Sequence, residues 1–133
     1  MYAHSLDDRG PEDWEPLAHH LAKVGQRAAD YAATFGWAET ARVAGQLHDI
    51  GKCSASFQAY IATPRNDLKS GRRGPDHSTA GARVSSEAYP GPLGRMLAFM
   101  IAGHHAGLAD AKELDRRLAA DHAIESYTSP LRR

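Results

Sequence analysis

At 133 residues, with 42% hydrophobic and 24% charged residues, the chain falls in the range of about 100–150 residues usual for one domain with one core, and outside the composition of disordered chains. Sixteen basic and sixteen acidic residues give a formal net charge of zero. That balance argues against independent nucleic-acid binding, which usually needs a basic excess, but not against cleaving a strand delivered by a partner. The single cysteine, Cys53, excludes an internal disulfide and every thiolate-rich zinc pattern, so any metal must use histidine and carboxylate. The longest apolar run, residues 96–102, is far short of the roughly 20 residues of a membrane span, and the N-terminus has no secretory pattern. A cytoplasmic protein with no membrane partner is expected.

In chain order the pattern is that of a helix bundle, with no internal repeat and no strand alternation long enough to name. Pro16 suits the first turn of a helix, with Glu12, Asp13 and Glu15 favourable near its positive end. That helix is expected to reach Phe35, because Leu17, Leu21, Val24, Ala28, Tyr31 and Phe35 recur at three- and four-residue steps. Gly36 is its stop, and His20 lies beside the stripe, facing inward. A second helix from Trp37 carries Ala41, Ala44, Leu47 and His48 and ends at Gly51. A short third, over 54–62, has Ser54 as its N-cap and turns Phe57, Tyr60 and Ile61 to the core. Residues 63–76 read as a loop rich in Gly, Pro and charge that leads into His77. Helices over 77–88 and 93–104 flank the break Pro90-Gly91-Pro92. A polar helix over 110–121 precedes a tail, 122–133, expected to fray. The reading is one all-α domain, 1–133, with its core in 14–121.

Eight histidines, at positions 4, 19, 20, 48, 77, 104, 105 and 122, stand out from the composition. The most specific local feature is His48-Asp49-Ile50-Gly51-Lys52. Neighbouring side chains in a regular helix point about 100° apart, so His48 and Asp49 chelate together best from a last turn, where Gly51 supplies a flexible end. Neutral imidazole and carboxylate are ordinary ligands for first-row transition ions, and a carboxylate can bridge two of them; Asp49 is the candidate bridge. Taken singly, His20, His77, His104 and His105 read as plain core or surface histidines. All of them fall at the edges of apolar segments, however, where a bundle brings side chains together, and convergence on one site is the simpler explanation.

In the order His20-Leu21, His48-Asp49-Ile50-Gly51-Lys52, His77-Ser78-Thr79-Ala80-Gly81-Ala82 and Ile101-Ala102-Gly103-His104-His105-Ala106-Gly107-Leu108, the chain resembles the HD superfamily. More narrowly, over residues 14–108, it resembles the HD nuclease domain of CRISPR-associated type I interference nuclease-helicases. The resemblance implies a compact HD-type bundle whose central metal site holds one or two divalent transition ions (Mn, Ni, Co, Fe or Zn). It implies cleavage of single-stranded DNA in type I CRISPR interference, alongside a helicase domain or subunit and a guide-RNA surveillance complex. Carried over by motif, His20, His48 and Asp49 match the ligands of one ion, and Asp49, His77, His104 and His105 those of the other. Ions so held activate water and neutralise charge on the phosphate and the leaving oxygen, so no protein nucleophile is needed. Lys52, one helical step from Asp49, is placed to hold a phosphate oxygen, which makes Asp49 and Lys52 the catalytic candidates. Lys69, Arg72 and Arg73 are candidates for tracking the DNA backbone. His4, His19 and His122 match nothing in the family pattern and receive no site role.

The family pattern adds an aspartate on a later helix that completes the first ion's shell. Asp110, Asp115 and Asp121 stand in no recognisable match to it, so a slow or incomplete nuclease is among the expected outcomes. Two other functions remain open: an HD phosphohydrolase acting on a nucleotide or nucleotide second messenger, marked by a closed pocket, and a non-catalytic HD module that binds a helicase or surveillance complex.

Overall fold

The computed structural model describes residues 1–64 and 74–120. Lys69, Arg72, Arg73 and the tail from 121 onward therefore lie outside the described residues. Among the described residues the chain forms β1 (Tyr2–His4), β2 (Glu15–Pro16), α1 (Leu17–Ala32), α2 (Ala38–Leu47), α3 (Ala55–Ala62), α4 (Ser78–Ala88), α5 (Pro92–Gly103) and α6 (Ala111–Ala119). Six helices against one two-stranded sheet bear out the helix-bundle reading.

Alanine is the best helix former, and α1 is rich in it. Its buried residues are Leu17, Gly25, Ala29 and Ala32. Tyr31 and Phe35, expected on the buried stripe, are instead 74% and 67% exposed. The reason is how closely α1 and α2 approach: a Cβ on Gly45 of α2 would lie 2.8 Å from the Gly25 Cα. Such an approach admits only small residues between the helices, and the aromatic rings fall on the outer side. Past α1, a 3-10 turn (Ala33–Phe35) ends at Gly36 with φ 79°, the left-handed stop expected there.

The start of α1 departs from expectation. Pro16 lies in β2, with Tyr2 opposite Pro16 and His4 opposite Glu15 in an antiparallel pair. Glu12 and Asp13 belong to a separate 3-10 turn, Pro11–Asp13. Strands this short leave no alternation to read in a sequence. Contacts from elsewhere hold the pair in place: the Gln58 side chain of α3 accepts from the Tyr2 N–H (2.9 Å) and donates to the carbonyls of Tyr2 (2.9 Å) and Lys52 (2.7 Å).

α2 stops at Leu47, and Ile50–Cys53 is a 3-10 turn of its own, so the helix does not run to Gly51. Ser54 caps α3 as expected, accepting from the Phe57 N–H. The main core lies where α4, α5 and α6 meet, with Ala82, Leu97, Ala98, Ile101, Ala102 and Leu114 packed against Val43, Ala44 and Leu47 of α2. No helix among the described residues is long and apolar enough to cross a membrane.

Candidate metal centre

The break after α2 creates the site. His48 keeps helical angles, whereas Asp49 turns to φ −112° and ψ 13°, so both side chains point into the same space, with His48 Nε2 3.2 Å from Asp49 Oδ2. Gly51 has a different role from the flexible helix end that the sequence suggests. A Cβ there would collide with the His77 backbone carbonyl, so glycine is what lets the Ile50–Cys53 turn lie against the start of α4 and bring His77 to Asp49.

Asp49 is 3% exposed, and four imidazoles surround it in two pairs. His20 and His48 face Oδ2, with Nε2 at 3.3 Å and 3.2 Å. His77 and His104 face Oδ1, at 3.2 Å and 3.3 Å. Lys52 Nζ lies 2.7 Å from Oδ2 and is itself buried. Each ring has an acceptor at its far nitrogen: Glu15 Oε2 for His20 (3.0 Å), and the carbonyls of Gly45 for His48 (2.7 Å), Pro75 for His77 (3.2 Å) and Ile101 for His104 (2.7 Å). These partners assign the proton of the neutral ring to Nδ1 and leave the Nε2 lone pair directed inward.

Inward lone pairs facing a carboxylate repel one another unless a cation lies among them. Burial opposes ionisation of Asp49, yet in the absence of an ion hydrogen bonds from the His104, His48 and His77 rings, when these carry a proton on Nε2, and the Lys52 ammonium hold its carboxyl far below the usual carboxylate range. Burial likewise opposes charge on His104, but Asp49 and the Ile101 carbonyl outweigh it and raise its proton affinity. His105 is pushed the other way, by burial and by His104 and His77 beside it. His77 Nε2 is a buried nitrogen without a hydrogen-bond partner, within ion-pair distance of Asp49 but outside hydrogen-bond geometry. An orphaned buried lone pair beside an ionised carboxylate fits a divalent ion.

Two sets of atoms, each mutually within 4.8 Å, are suited to hold such an ion: His20, His48 and Asp49, and Asp49, His77, His104 and His105. They coincide with the two sets carried over from the motifs, with Asp49 common to both. A third set, His4, Glu15 and His20, was not anticipated. Its only signal in the sequence was the residue types themselves, because the strand pairing that joins them left no pattern. Of the unassigned aspartates, Asp110 caps α6 and Asp115 pairs with Arg95 on the surface. His19 is exposed.

A family model described as "Cas3, HD domain" matches residues 4–130 of the chain. No curated protein matches it.

Proposed function

Because the chain belongs to the Cas3 HD-domain family, a family of metal-dependent HD nucleases, we propose that it hydrolyses single-stranded DNA in type I CRISPR interference. The observation that carries the reading is the division of Asp49, one oxygen toward His20 and His48 and the other toward His77 and His104. In this reading His20, His48 and Asp49 hold one ion, and Asp49, His77, His104 and His105 the other. Divalent ions bound there supply water activation and charge neutralisation at the phosphate.

The chain's own groups set the stage for that chemistry. Asp49 stays ionised, and the acceptors at the far ring nitrogens of His20, His48, His77 and His104 leave each Nε2 directed at the centre. Lys52 brings a cation to the same carboxylate oxygen, within reach of a phosphate oxygen drawn into the centre. Cys53, next in sequence, is no rival nucleophile, since burial raises its thiol pKa and disfavours the thiolate. With a net charge of zero, strand affinity is expected to come largely from a helicase domain or subunit and a guide-RNA surveillance complex, with Lys69, Arg72 and Arg73 as the chain's own backbone contacts.

The test is hydrolysis of a labelled single-stranded DNA with Mn, Ni, Co and Mg in turn, beside Asp49→Ala and a nucleotide panel. Metal-dependent cleavage that disappears in Asp49→Ala is the expected result. Turnover of nucleotides alone would favour the phosphohydrolase, and no turnover with any ion would leave a binding module.

A further inference from the structure

The N-terminal hairpin brings a histidine that the motifs do not include. β1 pairs His4 opposite Glu15 of β2, so the backbone itself sets these two side chains together, one residue pair before the start of α1. His4, Glu15 and His20 each offer a ligand atom within 4.8 Å of the other two, and the His4 and His20 rings lie edge to face with centroids 5.0 Å apart. Ligand atoms sharing one ion stand at most about 4.2 Å apart, and this set contains neither His48 nor Asp49, so His4 would reach their ion by rotation of its exposed side chain past His20. The strand is held firmly enough to deliver its side chain: Ala3 is buried, and Gln58 bonds both backbone groups of Tyr2.

The two ion sets are unequal. Asp49, His77, His104 and His105 make four ligands, whereas His20, His48 and Asp49 make three among the described residues. Glu15 differs from the other acceptors behind the ring nitrogens in being a carboxylate, where His48, His77 and His104 use backbone carbonyls. A carboxylate behind a ligating histidine fixes the ring and raises its basicity. We propose that the hairpin completes the first ion's site, with His4 adding a nitrogen ligand beside His20 and Glu15 orienting His20 through its Nδ1–H. The proposal rests on the reading that His20, His48 and Asp49 hold an ion.

Calorimetric titration of the chain with Mn(II), free of DNA, tests it. The wild type is expected to take up two ions. His4→Ala and Glu15→Ala should each weaken one of them about 10–100-fold and leave the other, the one weakened by His104→Ala, unchanged. Glu15→Gln keeps an acceptor for His20 and should recover part of the loss. Circular dichroism of the metal-free variants checks folding, and His4→Gln repeats the test should alanine disturb the strand. Two ions bound to His4→Ala with wild-type affinity would overturn the proposal and leave the centre intact. An unchanged titration in His20→Ala would remove the first ion itself, and the proposal with it.

Discussion

Lys52 shows how much a single side chain gains from its setting. Read in isolation, a lysine after a glycine is a solvated surface residue, yet here it is 4% exposed with its ammonium 2.7 Å from Asp49 Oδ2. The Phe57 ring lies 5.5 Å from it on one side. A buried cation beside a buried carboxylate serves catalysis when it is aimed at charge that develops in the transition state. Lys52→Met is therefore expected to slow DNA cleavage by roughly 100- to 1,000-fold while the bound ions remain. Single-turnover rates set beside metal analysis of the same samples check this. Loss of the ions together with the rate would instead make Lys52 part of the centre's framework.

At the scale of elements, α6 supplies an arginine to the centre's framework and no ligand of its own. Arg117 reaches Ser78 Oγ and Thr79 Oγ1 at the start of α4 (2.8 Å each) and the Ala102 carbonyl near the end of α5 (2.8 Å). Asp76 adds to the same knot: burial opposes its ionisation, but bonds from Thr79 and Ser78 and the charge of Arg117 lower its pKa. His77 and His104 stand directly beside these anchor points, so one guanidinium sets the spacing of two helix ends that face Asp49 Oδ1. Arg117→Ala should lower stability by about 1.5–3 kcal/mol, seen as a lower urea midpoint with an unchanged slope. It should also weaken the ion at His77, His104 and His105 more than the one at His20 and His48, as metal titration would show.

For the whole molecule, residues from 20 to 105 converge on one carboxylate, so an ion held there would couple its binding to folding. Mn(II) at about 100 times its dissociation constant should stabilise the fold by about 2.7 kcal/mol, a rise in Tm of about 10 °C that a chelator reverses. Protons compete for His104, whose pKa is raised above 6.5. The thermal shift should therefore shrink as pH falls, beginning above pH 6.5, and a shift constant from pH 8 to pH 5.5 would contradict this. The helices, their order, the cap at Ser54 and the His48-Asp49 pair were legible in the sequence, because helical periodicity and ligand chemistry act over a few residues. The same local rules placed Tyr31 and Phe35 on the wrong side and missed the hairpin. Those outcomes depend on how closely Gly25 and Gly45 approach and on Gln58 reaching Tyr2. The family motifs divided the candidate ligands into two sets, but only the tertiary structure turned one oxygen of Asp49 to each and set His4 and Glu15 beside His20. Those are distances between residues far apart in the chain, and they follow from packing, which no local pattern records.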